Sequence, residues 1–172
     1  MTLPDYVGLI PGTSKTWKSS GGDYAITLTS LGNGSGREGA KGDFYDATYG
    51  YPEILGVRFE SSVASAATNG YQVELWAGES DSGTAGTNNP GNLTGADAAL
   101  SNPDELKWQC NFVGALVLSN ARGTNIQKQW FTYFPSMRYW IPLVVNKAGV
   151  ALGSTAGNHQ IVVTPFYRKI QD

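Results

Sequence analysis

The sequence predicts an all-β protein, an antiparallel β-sandwich, and three observations support that fold class. Apolar and polar residues alternate with a period of two in a series of segments, which is typical of half-buried strands. Turn segments rich in Gly, Asn, Ser and Thr separate them, and the chain contains 22 glycines. The segments between the strands lack the 3.6-residue period of long helices, which argues against a parallel sheet of βαβ units. Two antiparallel sheets with jelly-roll-like connections are therefore expected.

The strand-like segments follow one another from residue 24 to residue 168. They are YAITLTSL (24–31), VRFESSV (57–63), YQVELWA (71–77), LKWQCNFVGALVLS (106–119), IQKQWFTYF (126–134), YWIPLVV (139–145) and HQIVVTPFYR (159–168). Gly114 is expected to bend the long fourth segment. Because proline has no N–H to donate to a ladder, Pro142 and Pro165 predict that their strands are sheet edges or carry bulges there. One or two helical turns are expected in GADAALSNPDEL, before Pro103.

The first 22 residues contain Pro4 and Pro11 and show no clear period. They predict an extended N-terminal arm, residues 1–22, followed by a single sandwich domain, residues 23–172. An extended segment can add a strand to the exposed edge of a neighbouring sheet. The residues proposed for such a contact are Leu3, Tyr6, Val7, Leu9 and Ile10. The alternative is that the segment folds back and closes its own sandwich.

Composition disfavours several functional classes. The formal net charge of −2 provides no basic surface for nucleic acid. Cys110 is the only cysteine, so an intramolecular disulfide cannot form, and its apolar-alternating context favours a small core residue. The N-terminus lacks the pattern of a signal peptide, and no segment approaches 18 apolar residues. The protein is expected to be made in a cytoplasm and to bind no membrane.

Residues 31–45 contain a G-x-G-x-x-G sequence at Gly34, Gly36 and Gly39. A dinucleotide site needs a buried strand before this motif and a helix after it. The preceding segment alternates with threonine, and the following segment contains Gly42, Gly50 and Pro52, which cannot continue a helix. The residues from Gly32 to Tyr51 are therefore interpreted as a long surface loop whose glycines allow close approach to a neighbouring backbone.

Residues suited to catalysis are scarce. His159 is the only histidine, and local hydrogen bonding at a strand edge is favoured over a role as general base, although a hydrolase that pairs it with Ser154 stays open. Carboxylates group in GDFYDATYGYPE (Asp43, Asp46, Glu53) and in GESDSG (Glu79, Asp81). Such groups could serve a glycosidase or hold calcium, but solvated loops are the favoured interpretation. We expect no metal, no cofactor and no enzymatic activity.

Aromatic residues are more informative, because several fall in turn-rich segments and others alternate on both faces of one strand. Trp130 and Phe134 lie on one face of their segment, and Phe131 and Tyr133 lie on the other. Tyrosine and tryptophan on a second face favour an interface, since they combine a large apolar area with a polar group. The alternative is that both faces are covered within one monomer.

Four stretches carry a resemblance: GDYAITLTSLGNGSGREGAKGDF, TNNPGNLTGADAA, FVGALVLSN and RYWIPLVVNKAGVALGSTAGNHQIVVTP. They resemble small virion structural proteins of tailed bacteriophages, among them capsid decoration or cement proteins, over the chain from about Trp17 to Pro165. The resemblance implies a β-rich, non-enzymatic protein that binds the outer surface of the icosahedral shell, often as a trimer. It also implies that the protein stabilises the shell against genome pressure.

The function predicted from the sequence is therefore that of a capsid decoration protein on the virion surface. Its expected partners are the major capsid protein and further copies of itself, as a homotrimer. The residues proposed for a second contact, in the loop from Gly32 to Tyr51, are Arg37, Lys41, Phe44, Tyr45, Tyr49 and Tyr51. The alternative is a carbohydrate-binding adhesin module of a tail fibre or head appendage, with Tyr49 and Tyr51 stacking on sugar rings.

Overall fold

The computed structural model describes residues 6–171, which form two β-sheets packed face to face. The strands, in chain order, are β1 (Tyr6–Pro11), β2 (Lys15–Lys18), β3 (Tyr24–Ala25), β4 (Gly36–Glu38), β5 (Gly42–Asp43), β6 (Ile54–Ser61), β7 (Gln72–Ser80), β8 (Ala98–Leu100), β9 (Asn111–Val117), β10 (Gln127–Tyr133), β11 (Tyr139–Lys147) and β12 (Gln160–Gln171). The helices are short: α1 (Pro103–Leu106) and 3₁₀ turns at Lys107–Gln109, Asn120–Arg122 and Ala156–Asn158.

The two sheets have different strand orders. The first sheet has the order β10-β6-β12-β2-β3, and β1 also pairs with β12. The second sheet has the order β8-β4-β11-β7-β9, and β5 also pairs with β11. Within residues 6–171, β2 and β3 are parallel and the other paired strands are antiparallel. The predicted all-β antiparallel sandwich is confirmed, while the jelly-roll connectivity stays a prediction.

The main core lies between the inner faces of the sheets. Because side chains alternate across a strand, each sheet contributes every second residue to this core. Trp17 and Phe59 of the first sheet and Leu75 and Trp140 of the second are fully buried there. The rings of Trp17 and Trp140 meet edge to face at 5.2 Å. Trp17 Nε1 donates to the carbonyl of Ala40 at 2.7 Å, so burial of this indole leaves its donor satisfied.

Residues 6–18 belong to the first sheet, which corrects the prediction of an arm that ends at residue 22. β1 and β2 lie one after the other along β12, with Pro11 of β1 opposite Phe166. Trp17 of β2 fills the core, so this segment cannot be separated from the sandwich without exposing a large indole to water. The structure therefore shows the folded-back alternative for these residues.

Pro142 of β11 and Pro165 of β12 lie in central strands, so the expectation of edge strands is wrong. The carbonyl of Pro142 accepts from Gly39 N–H at 2.8 Å, in the gap between β4 and β5. The carbonyl of Pro165 accepts from Gly12 N–H at 2.8 Å, in the gap between β1 and β2. The N and the C=O of a strand residue lie on the same side of the strand. The position where each proline lacks an N–H therefore faces a break in the adjacent strand, where no ladder hydrogen bond is lost.

The glycines of the G-x-G-x-x-G sequence serve packing and turn formation. Gly34 has φ +79° in a turn. A Cβ at position 36 would lie 2.9 Å from Leu100 Cδ1, and one at position 39 would lie 2.8 Å from Pro142 Cγ. The glycines do permit close approach, but the nearest atoms belong to side chains and not, as expected, to a neighbouring backbone. Residues 32–51 are nevertheless not one surface loop, because they contain β4 and β5, and β5 stands where a dinucleotide site would have its helix.

The first strand-like segment forms a ladder only at Tyr24–Ala25, in β3. Its alternation still describes burial, since Ile26 and Leu28 are buried in the main core. The side chain of Asp97 supplies the acceptor that a neighbouring strand would otherwise provide. It accepts from Thr27 N–H at 3.0 Å and from the Thr27 hydroxyl at 2.6 Å.

The predicted helix is displaced along the chain. Residues 98–100 form the edge strand β8, and α1 begins at Pro103 instead of ending before it. Proline suits the first helical position, and the side chain of Asn102 caps the helix by accepting from Glu105 N–H. The long segment that follows is a strand only from Asn111, and its register shifts beside Gly114, where the bend was expected.

Candidate functional site: the open face of the first sheet

The outer faces of the two sheets differ in whether another segment of the chain covers them. On the second sheet, Ile141 and Leu143 of β11 point outward and are fully buried. Leu93 and Leu106 pack on them and form a small second core. We call residues 81–110 the covering segment, because they supply these contacts and include the edge strand β8. On the first sheet, no described segment packs over the outer side, and we call this side the open face.

The open face is built by the side chains that alternate with the main core. Cross-strand pairing sets Trp130 of β10, Arg58 of β6, Val162 of β12 and Thr16 of β2 in one row. A second row joins Ile54 of β6, Phe166 of β12 and Pro11 of β1.

Two aromatic side chains dominate the exposed area of this face. Trp130 is 64% exposed, and Phe134, which continues the alternation just after β10, is 69% exposed. Their partners in sequence, Phe131 and Tyr133, point inward and pack in or against the main core. The alternative in which one monomer covers both faces therefore does not hold for this strand. Exposed aromatic area of this kind is enriched at protein interfaces.

Charged side chains also lie on the open face and give it a positive balance. Arg58 is paired with Glu60 on the same strand at 2.7 Å. Lys18 of β2 and Lys128 of β10 make no ion pair among the described residues. A positively charged, aromatic face on a chain of net charge −2 favours a partner surface that is both apolar and acidic.

The residues predicted for the N-terminal contact divide between the two sides of the first sheet. Leu9 pairs with Arg168 and is exposed, beside the open face. Ile10 pairs with the buried Tyr167. Leu3 lies outside the described residues, and Tyr6 and Val7 are described only as backbone of β1. Of the arm residues, Leu9 is thus the side chain that the structure places with the aromatic face.

Arg37 and Lys41, predicted as interface residues, have their polar groups engaged within the chain. Arg37 Nε donates to Asp97 Oδ1 at 2.6 Å. Lys41 Nζ lies among four oxygens of the 80–87 loop: the Ser80 hydroxyl (3.1 Å) and the carbonyls of residues 82, 84 and 87 (2.8, 2.9 and 3.1 Å). Burial lowers the pKa of Lys41, and Asp81 opposes this shift. Lys41 therefore fixes the start of the covering segment.

Phe44 is buried in the main core, which removes it from any exposed contact. Tyr45, Tyr49 and Tyr51 are exposed, as an interface or a sugar site would require. Tyr45 and Tyr51 meet edge to face at 5.4 Å, while Tyr49 tilts against Tyr167 at 5.8 Å. These rings are thus partly engaged with neighbours in the same chain.

The exposed tyrosines adjoin an ion pair. Arg138 forms a two-point pair with Asp43, with its Nη2 2.7 Å from Asp43 Oδ2, and its guanidinium lies 4.6 Å from the ring centre of Tyr45. Burial opposes ionisation of Asp43, but the hydrogen bonds from Arg138 and from Tyr45 N–H outweigh it and lower the pKa of this carboxyl. Asp43 therefore acts as an anchor for Arg138 instead of pairing with Asp46 or Glu53.

His159 is hydrogen-bonded locally, as the favoured interpretation of the sequence expected. It is 2% exposed, and its Nε2 lies 2.8 Å from the Gly153 carbonyl. Since a carbonyl only accepts, Nε2 carries the proton and Nδ1 accepts from the Ser61 hydroxyl at 2.9 Å. Ser61 is 0% exposed. The serine beside the histidine is Ser61 and not Ser154, and both groups are shut off from any substrate.

The remaining titratable groups also have local roles. Glu79 accepts from Ser136 and Asp81 accepts from Asn88, so these carboxylates tie loops together. Burial, with a smaller effect of Glu38, raises the pKa of Cys110 to about 11, which keeps it a thiol beside the second core. Across residues 6–171, no group of three or more His, Cys, Asp or Glu has the geometry of a metal site.

No helix within the described part of the chain combines the length and the apolar character needed to cross a membrane. Comparison with models of known protein families finds no match. A search of curated proteins likewise finds no match. The case for a function therefore rests on the surfaces described above.

Sequence reasoning missed part of the open face. Ile54 and Phe166 share one cross-strand row, but they lie in different sequence segments, and their proximity depends on the pairing of β6 with β12. The alternation of Trp130 and Phe134 was the signal available in the sequence.

Proposed function

We propose that this protein is a non-enzymatic structural protein of a phage virion, a capsid decoration protein that stabilises the icosahedral shell. The observation that carries the proposal is the open face, where Trp130 and Phe134 present aromatic area beside Arg58 and Lys128. This surface suits attachment to another folded protein, here the major capsid protein.

The rigid sandwich behind this face supports the same role. The backbone that carries its outward residues is fixed by the β-ladders of β6, β10 and β12, so little backbone conformational entropy is lost when they meet a partner. A homotrimer would present three such faces at once. Linking several modest contacts raises overall avidity by roughly 10²–10⁴.

Retention of the purified protein on shells of its own phage tests the proposal. The double variant Trp130→Ser, Phe134→Ser should lose most retention, and Lys128→Glu should weaken it more at low salt than at high salt. Trp108→Ala, on the opposite side of the sandwich, is the matched control and should be retained like the wild type. If the double variant binds shells as well as the wild type does, the open face is not the docking surface.

The alternative, a carbohydrate-binding module, was expected to use Tyr49 and Tyr51. Those rings are exposed, but Tyr49 packs on Tyr167 and Tyr51 packs on Tyr45. A different aromatic group on the second sheet offers a better platform for a sugar.

A further inference from the structure

A second exposed aromatic group lies on the outer side of the second sheet, at one end of the covering segment. Trp108, in the 3₁₀ turn Lys107–Gln109, is 89% exposed. Trp76 of β7 and Phe112 of β9 lie opposite each other across the ladder, with ring centres 4.8 Å apart. Trp76, Asp104, Lys107 and Trp108 line a cleft of about 520 Å³. A largely exposed indole at the mouth of an apolar cleft is typical of a ligand-binding surface.

The polar groups of this cleft are held in place by their own contacts. Lys107 Nζ is 3.0 Å from Glu74 Oε2 and 2.8 Å from Asp104 Oδ1. Trp76 Nε1 donates to the same Glu74 oxygen at 3.1 Å. The ammonium of Lys107 also lies 5.7 Å from the ring centre of Trp76, so the cation position over this indole is already filled. The face of Trp76 is therefore occupied by a cation of the chain itself, and the fixed polar groups around it are preorganised for a neutral ligand.

The charges at the cleft balance one another. Glu74 and Asp104 are matched by Lys107 and by Lys147, whose Nζ is 3.2 Å from Asp104 Oδ1. Both lysines contact Oδ1, and Asp104 Oδ2 makes no hydrogen bond to any described residue. Asp104 is a mostly exposed side chain, so this oxygen can accept from a ligand hydroxyl. A neutral molecule with a flat apolar face and a rim of hydroxyls fits this combination.

We infer that the Trp76–Trp108 cleft binds a neutral saccharide, with a pyranose ring stacked on Trp108 and its hydroxyls bonded to Asp104. The inference does not rest on the capsid proposal. The two sites lie on opposite outer faces of the sandwich, so a protein docked through its open face would present this cleft away from the shell.

The test is a glycan array probed with the full-length protein. The array carries neutral hexose and N-acetylhexosamine oligosaccharides together with sialylated and sulfated ones. We expect binding to neutral members, confirmed by titration of tryptophan fluorescence with the strongest of them. Trp108→Ala should weaken that binding by roughly tenfold or more, and Asp104→Ala should weaken it as well. Trp130→Ala, on the open face, is the matched control and should bind normally.

The inference would be overturned if the wild type bound none of the neutral oligosaccharides, or if Trp108→Ala bound them as tightly as the wild type does. If Trp108→Ala instead lost retention on shells, the cleft would be a protein contact and the saccharide inference would fail. Loss of sugar binding with unchanged shell retention would support the cleft without bearing on the open face. Failure of this site and failure of the capsid proposal are thereby distinguishable.

Discussion

The outer faces of the two sheets differ in what covers them. On the second sheet, the chain lays residues 81–110 across β11, and Leu93 and Leu106 bury Ile141 and Leu143. On the first sheet, Trp130 and other outward residues of β6, β10 and β12 have no such layer among the described residues. Both sheets contribute apolar residues to their outer sides, yet only one side receives a cover from its own chain.

We interpret this difference as a division of the two outer faces between stability and the proposed attachment to a partner. The covering segment turns the outer side of the second sheet into a second core, so those side chains stabilise the fold. The open face contributes less to the stability of the isolated protein, and its aromatic residues are available to a partner.

Leu143→Ala should be the most destabilising of these changes. The side chain is fully buried under the covering segment, so its truncation leaves a cavity and should lower the free energy of unfolding by about 2–5 kcal/mol. Urea denaturation at constant pH measures this difference. A loss under 1 kcal/mol would show that the covering segment packs loosely and that the two faces are less different than described.

Lys41→Met should loosen the start of the covering segment. The ammonium is bonded to four oxygens of the 80–87 loop, and its removal deletes these charge-assisted bonds and leaves the loop with only its own weaker ones. We expect a loss of about 1–3 kcal/mol and faster amide hydrogen exchange in the loop. Lys128→Met, on the open face, is the matched control and should change stability by no more than about 0.5 kcal/mol. Equal effects of the two changes would contradict the role given to Lys41.

His159, on the inner side of the first sheet, should make the free energy of unfolding depend on pH. Burial lowers the pKa of His159, and the hydrogen bond to Gly153 only partly opposes this shift. The unfolded chain, with a histidine pKa of about 6.5, therefore binds a proton before the folded protein does. The free energy of unfolding should fall as the pH drops below about 6.5, by at most about 1.4 kcal/mol per pH unit.

Asp97 acts at lower pH than His159. For Asp97, hydrogen bonds from Arg37 and Thr27 outweigh burial and lower the pKa below 3.8, so its contribution is lost only as the pH falls through that region. Denaturant titrations at pH 7.5, 6.5 and 5.5 should show the slope in the wild type and a flatter one in His159→Gln. An unchanged slope in the variant would assign the pH dependence to other groups.

Trp130→Ser should have the smallest effect on stability. Its side chain is mostly exposed, so we expect a change of no more than about 0.5 kcal/mol in the isolated protein. A loss of 2 kcal/mol or more would mean that Trp130 supports the fold, and the distinction between the open and covered faces would collapse.

The periodic pattern of the sequence was sufficient to predict the class of fold and one key feature of the candidate site. Alternation is a local property, and it correctly separated Trp130 and Phe134 from Phe131 and Tyr133. It also marked Ile26 and Leu28 as buried, although no ladder forms there, because burial follows from side-chain direction and not from strand pairing.

What the sequence could not show depends on contacts between distant residues. The role of residues 6–18 depends on pairing with β12, and Lys41 needs carbonyls from the 80–87 loop. The sequence alone therefore did not show that this segment belongs to the sheet or that Lys41 is engaged within the chain. Pro142 and Pro165 predict sheet edges or bulges, because the proline rule considers one strand at a time. The structure places a glycine and a break in the adjacent strand, Gly39 and Gly12, opposite each proline. In the covering segment, residues 81–94 gave no periodic signal, and the helical turns and strand predicted from residue 95 onward did not indicate that these residues pack on β11.

The orientation of the protein on intact particles tests the central claim most directly. A reconstruction of virions that contain this chain should show the sandwich on the outer surface of the shell, with Trp130, Phe134 and the rest of the open face against the capsid protein and Trp108 directed to solvent. Density for the chain on the tail, or a sandwich seated on the shell through its covering segment, would contradict the account.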